Sequence, residues 1–192
     1  MTSNVSICNL ALSNIRKPSI SDMNEASEEA RQCKLHFEIA RDTLLQLYPW
    51  EFAKKAQALA PIANDWTSRW GYAYARPTDC LKILRIVPEI DFPNDIDPPQ
   101  HGLRAGAIYT GFDPAWLEFT SKEIDPSKFP PLFVDAFAWA LAARLALPLT
   151  GDRSIRADAV QMASAARVAA ETADANEFPD RPHYEASWIA AR

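Results

Sequence analysis

The pattern of apolar residues between positions 22 and 50 constrains the fold of this chain more than any other feature. Seven apolar side chains recur there at intervals of three or four residues: Ala26, Ala30, Cys33, Phe37, Ala40, Leu44 and Leu47. This spacing places them on one face of an α-helix. Asp22 and Glu25 have the spacing of a capping box at its start, and Pro49 prevents a further turn at its end. A helix of about 38 Å is too long for a small core to cover, so we expect it to be the spine of the domain.

Three more helices are predicted around this spine. Residues 4–15 carry a short apolar stripe after a capping residue, Ser3. Residues 132–147 are apolar on nearly all sides, which predicts a central helix that Pro148 ends. A fourth helix, capped by Asp152, is expected to extend to about residue 174. Its apolar face is mostly alanine: Ile155, Ala159, Met162, Ala166, Ala169 and Ala173. Because short connections favour antiparallel neighbours, these helices should form an antiparallel bundle.

The segment between residues 50 and 125 has a different pattern. Ten of the fifteen prolines lie between Pro61 and Pro131, which leaves little room for long helices. Strands are predicted over 51–60, 70–75 and 81–87, followed by an exposed loop over 91–102. Residues 107–110 and 116–120 flank a turn and predict a β-hairpin.

These patterns predict a mainly α fold, a four-helix antiparallel bundle with a β-rich insertion between helices 2 and 3. Residues 1–49 and 126–176 would form the two halves of the bundle, and residues 50–125 the insertion lobe. Residues 177–192, which contain two prolines, are predicted to be an extended C-terminal assembly tail. Its apolar side chains are the candidate partner-interface residues: Phe178, Tyr184, Trp188 and Ile189. They could dock equally well on the parent domain or on a neighbouring subunit.

Composition and charge exclude several classes of function. The net charge of −5 argues against sequence-independent binding to nucleic acid, which needs a basic face. Cys8, Cys33 and Cys80 form no CxxC pair, and their odd number predicts reduced, buried thiols rather than a disulfide framework. The first residues lack the basic segment of a signal peptide. Residues 132–147 include Asp135 and Arg144, which favours a buried helix over a membrane span.

No group of residues in the sequence predicts catalysis, a cofactor or a metal site. Cys33 and His36 lie one turn apart, with Glu29 a turn earlier, but no second half-site accompanies them, so core and surface positions are favoured. The glycines fit no phosphate-binding motif. Aromatic residues cluster at Trp66, Trp70, Tyr72 and Tyr74. Such a cluster could stack on bases or sugars, although a local core is the favoured interpretation.

Several segments resemble a known family when they are taken in order. They are Cys8-Asn9-Leu10-Ala11-Leu12, Arg41-Asp42 with Leu45, Pro49-Trp50-Glu51-Phe52-Ala53, Trp70-Gly71-Tyr72, Pro77-Thr78-Asp79-Cys80-Leu81, Ile108-Tyr109-Thr110, and the apolar positions of residues 129–146. Together they are similar to the tail tubular protein A-like head-to-tail adaptors, or connectors, of short-tailed bacteriophages. The resemblance covers residues 5 to 150. It departs from the family at Arg16, where relatives often carry glycine.

The resemblance implies that the chain is a structural protein of the virion and not an enzyme. Such adaptors form a dodecameric ring between the portal protein and the tail nozzle protein, and DNA passes through the ring without sequence-specific binding during ejection. Assembly would take place in the host cytoplasm, without a membrane. A charge of −5 per chain would give a twelve-membered ring a charge of about −60, which repels phosphate. Two alternatives stay open: a virion-associated cell-wall hydrolase, and a neck or head-completion protein of a long-tailed phage.

Overall fold

A computed structural model describes residues 2–89, 92–93 and 96–177 of the chain. Four helices form one part: α1 (Asn4–Asn14), α2 (Glu28–Leu47), α3 (Pro131–Thr150) and α4 (Arg153–Glu177). Two antiparallel sheets form the other. The predicted fold class, a mainly α four-helix bundle, is therefore wrong: 48% of the described residues are helical and 19% are in strands, which is an α+β fold. The physical reason is that the strands bury a hydrophobic core of their own.

Helix α3 is the centre of the helical part, because it packs against α1, α2 and α4. Its buried residues include Phe133, Phe137 and Leu141, and Phe137 meets Phe37 of α2 with ring centroids 4.9 Å apart. Among the described residues, α3 alone is long and apolar enough to cross a membrane by length and composition, and 56% of its most apolar window is buried in the protein. The predicted central position of this helix is confirmed.

The start of α2 differs from the sequence prediction. The helix begins at Glu28, and the Ser27 side chain caps it by accepting a hydrogen bond from the Ala30 N–H at 3.2 Å. The expected capping box of Asp22 and Glu25 does not form, because the Glu25 carboxylate accepts hydrogen bonds from Ser21 and Ser27. The predicted end before Pro49 is confirmed. Five members of the predicted stripe are buried: Ala30, Cys33, Phe37, Ala40 and Leu44.

The connection from α3 to α4 also differs. Pro148 lies inside α3 and does not end it. The helix ends at Gly151, whose left-handed backbone (φ 69°) suits glycine, and the Gly151 N–H donates to the Leu147 carbonyl. Asp152 accepts a hydrogen bond from the Ser154 N–H at 2.7 Å, as expected of a cap.

Helix α4 extends to Glu177 and packs mainly on α3. Ala159 and Ala170 are buried on it, whereas Met162 and Ala169, predicted on the same face, are exposed. The predicted apolar face of α4 was therefore partly wrong. Alanines lie on every side of this helix, so the pattern of apolar and polar residues distinguishes its buried face from its exposed face only weakly. Much of α4 therefore faces away from the core.

Seven strands form the lobe: β1 (Lys54–Ala58), β2 (Pro61–Ile62), β3 (Tyr72–Ala75), β4 (Cys80–Val87), β5 (His101–Arg104), β6 (Ala107–Thr110) and β7 (Trp116–Ser121). They form one sheet in the order β1-β7-β4 and another in the order β2-β3-β6-β5. The segment predicted as a strand over 51–60 opens instead with a 3-10 turn, Glu51–Ala53, before β1.

The predicted hairpin between residues 107–110 and 116–120 is wrong. Both segments are strands, but β6 pairs with β3 and β5, whereas β7 pairs with β1 and β4. Residues 111–115 carry the chain from one sheet to the other. The actual hairpin joins β5 to β6 through Ala105 and Gly106, both with positive φ, as a tight two-residue turn requires. Strand β5 begins at His101, so the loop predicted over 91–102 ends at residue 100, two residues before its predicted end.

Candidate interaction surfaces

The resemblance segment 49–53 builds the junction between the helices and the lobe. Trp50 is 1% exposed, and its indole N–H donates to the Leu44 carbonyl at 3.0 Å. Its ring lies edge-on to Tyr48 and Phe133, with centroids 5.0 Å away in each case. Ala53 is also buried, directly before β1. This segment therefore ties the end of α2 to α3 and to the first strand.

Another resemblance segment, 77–81, ties the strands of one sheet together. The Asp79 carboxylate accepts hydrogen bonds from Lys55 Nζ at 2.8 Å and from Ser121 Oγ at 2.9 Å. Burial opposes ionisation here, but these two hydrogen bonds outweigh it and lower the pKa of Asp79. The charged form of Asp79 thus joins the start of β4 to β1 and β7.

Helices α2, α3 and α4 form a groove between them, which we call the arginine groove. Its volume is about 390 Å³. Small and apolar side chains form its floor and walls, including Ala40, Leu44, Leu47, Ala143 and Val160. A second hollow of about 310 Å³ continues it past His36 and Leu147, since the two share Ala143, Arg144 and Arg156.

Three arginines face this groove from α3 and α4. Arg167 pairs with Glu171 at 2.8 Å, and Arg144 donates to Thr43 Oγ1 at 3.4 Å. Arg156 has no ion pair within residues 2–89, 92–93 and 96–177. Burial and the nearby Arg144 charge lower the pKa of His36. In a chain with a net charge of −5, this groove is a local concentration of positive charge over an apolar floor.

A smaller pocket lies beside the junction, where α4 ends. It has a volume of about 250 Å³, and Trp50, Pro131, Leu132 and Asp174 line it. Asp174 is 9% exposed and accepts a hydrogen bond from the Glu51 N–H at 3.3 Å. Burial raises the pKa of Asp174. The Asp174 carboxylate thus holds the last turn of α4 against the junction.

The predicted aromatic cluster of the lobe is only partly assembled. Trp66 lies edge-on to Trp70, with ring centroids 6.5 Å apart, and both side chains are half-buried. The Arg69 guanidinium lies 5.6 Å and 5.7 Å from the two ring centroids and covers their faces. Tyr74 is instead part of the lobe core, and Tyr72 is exposed. The favoured interpretation as local core is confirmed for Tyr74.

The structure separates the residues of the doubtful metal half-site. Cys33 is buried in the helical core with Cys8, whereas His36 lines the hollow that continues the arginine groove. Within the part of the chain that the structure describes, no three His, Cys, Asp or Glu residues form a group that could hold a metal ion. Cys8, Cys33 and Cys80 are all free and buried.

The candidate interface residues of the tail lie outside the described residues: Phe178, Tyr184, Trp188 and Ile189. The sequence reasoning missed the arginine groove. A signal was present, since Arg156 and Arg167 are eleven residues apart, three turns of helix, and so share a face. Arg144 joins them only through the packing of α3 on α4. Neither a protein-family model nor a curated protein matches the chain.

Proposed function

We propose that this chain is a structural virion protein of a short-tailed phage, a head-to-tail adaptor. Its copies would form a dodecameric ring between the portal protein and the tail nozzle protein. The support comes from the sequence resemblance and from where its segments lie. Residues 49–53 connect the helical part to the lobe, and residues 77–81 join the strands of one sheet within the lobe. They therefore belong to the architecture of the chain, which is the reason a family of structural proteins would share them.

The observation that carries the assembly part of this proposal is the exposed apolar surface of the helices. Most of the exposed large apolar side chains in the described part of the chain lie on the helices: Leu10, Leu35, Ile39, Leu47, Leu132, Leu147, Val160, Met162 and Val168. Large exposed apolar surfaces mark interfaces with other proteins. A protein that works as one member of a ring needs such surfaces on its sides.

The charge of the chain supports passage of DNA rather than binding. A channel wall with excess negative charge repels phosphate and favours free sliding. The arginine groove is an exception to this acidic balance, and its apolar floor suits a protein segment better than a nucleic acid backbone.

Negative-stain electron microscopy tests the proposal directly. The full chain would be imaged alone and after mixing with portal rings encoded by the same genome. We expect closed rings that stack coaxially on the portal. A chain that neither forms rings nor binds the portal would contradict the proposal. Clearing of a peptidoglycan suspension by the purified chain, lost on replacement of one carboxylate, would favour the cell-wall hydrolase instead.

A further inference from the structure

An exposed stripe on α2 has the properties that the arginine groove requires of an occupant. Leu35 and Ile39 are 60% and 51% exposed, and they lie four residues apart on one face of the helix. Glu38 and Asp42 flank them on one side, again one turn apart. Glu38 has no ion pair among the residues that the structure describes, whereas Asp42 pairs with Arg41 at 2.8 Å. We call this surface, Leu35–Glu38–Ile39–Asp42, the acidic stripe.

The arginine groove has the complementary properties. Its apolar floor can cover two aliphatic side chains, and Leu47 and Val160 at its edges are themselves 55% and 51% exposed. Arg144 and Arg156 supply positive charge beside this floor, where Arg156 lacks a partner of its own in the described chain. The two surfaces therefore match in polarity and in sign of charge.

We propose that the acidic stripe of one copy docks in the arginine groove of its neighbour, and that this contact repeats around the ring. The inference rests on the proposed function, since it describes how the copies of the adaptor meet. We favour a second copy as the occupant because the stripe and the groove match in charge, and neither is covered by residues 2–89, 92–93 and 96–177. A single type of contact would cover both.

The positions of the two surfaces on α2 fit a ring. Thr43 and Leu47 line the groove, and they lie about a quarter of a turn around α2 from Leu35 and Ile39. The stripe and the groove are thus different patches facing different directions, so the contact between copies is heterologous. Such contacts close into a ring when the rotation between neighbours permits it.

Charge reversal tests the contact. Arg156→Glu and Glu38→Arg should each weaken ring formation about tenfold or more, because each places like charges opposite one another in the interface. The double variant, with the charges exchanged, should recover much of the loss. The matched control is Arg153→Glu. Arg153 lies one turn earlier on α4 and is exposed, but it does not line the groove, so this variant should assemble as the wild type does. Ring formation would be measured by sedimentation velocity over a range of concentrations, without and with portal rings.

Two further measurements separate the outcomes. Ile39→Ser removes apolar area without changing charge and should also weaken assembly. Thermal melting by circular dichroism would show that all variants fold.

If the wild type forms rings and both single charge-reversal variants form them equally well, the proposed contact is overturned and the adaptor proposal stands. Two impaired single variants without recovery in the double variant would overturn the pairing of Glu38 with Arg156. A wild-type chain that never assembles, even on portal rings, would overturn both proposals. Loss of assembly on deletion of residues 178–192, with the charge reversals silent, would identify the tail as the occupant.

Discussion

Replacing Trp50 by phenylalanine tests whether the junction holds the helices and the lobe together. The indole N–H of Trp50 donates to the Leu44 carbonyl at 3.0 Å in a site that is 1% exposed. Phenylalanine keeps an aromatic ring against Tyr48 and Phe133 but loses this hydrogen bond and the volume of the second ring.

The magnitude follows from these two losses. A buried hydrogen bond contributes about 1 kcal/mol, and the smaller ring costs about 1 kcal/mol more in packing. The free energy of unfolding should therefore fall by about 2 kcal/mol. For a domain of this size, that lowers the melting temperature by about 4–8 °C.

Urea denaturation followed by circular dichroism would measure the change. Trp139→Phe is the matched control, because Trp139 is only half-buried on α3 and the same substitution there should cost under about 1 kcal/mol. If the two variants were equally stable, or if Trp50→Phe were as stable as the wild type, the role assigned to the indole would be wrong.

Four further predictions concern other parts of the chain. Phe37→Asp would bury a charge beside Phe137 and should unfold the monomer, so a normal melting curve by circular dichroism would contradict the packing of α2 on α3. Hydrogen bonds from Ser21 and Ser27 lower the pKa of Glu25 from 4.5 to about 2. The folded state thus gains stability above pH 4.5 that is lost as the pH falls towards 2, and Glu25→Gln should remove that part of the acid dependence. A carboxyl titration by NMR that gave Glu25 an ordinary pKa would refute this. Deleting residues 178–192 should leave the melting temperature nearly unchanged while weakening ring formation on the portal. An unfolded truncated chain, or one that assembles normally, would count against an assembly role for the tail. The chain should not bind duplex DNA at physiological salt, and sub-micromolar binding in fluorescence anisotropy would contradict the argument from its acidic charge.

The sequence by itself determined the helices and most of the strands. The stripe through Phe37 predicted the buried face of α2, because a helix that packs on one side must repeat its apolar residues every three or four positions. The all-round apolar character of residues 132–147 predicted the central helix, because a helix that packs against neighbours on several sides has apolar residues on all of those sides. Both patterns are local, because each is formed by residues that lie close together in the sequence.

Element ends were less predictable, since competing local interactions decide them. Glu25 binds Ser21 and Ser27 rather than capping a helix with Asp22, so α2 begins later than its pattern suggested. Pro148 lies in the last turn of α3 without ending it, and the helix ends instead at the left-handed Gly151.

Only the tertiary structure decided which strands pair and where the arginine groove lies. Residues 107–110 and 116–120 looked like a hairpin, because a turn sequence separates them, but β6 and β7 lie in different sheets, and both sheets contribute to one lobe core through Ile108 and Leu117. Arg144 and Arg156 come from different helices and meet only because α3 packs against α4. Periodicity reports which face of an element is buried. It contains no information about which other element that face will meet, and both the sheet order and the groove depend on that choice.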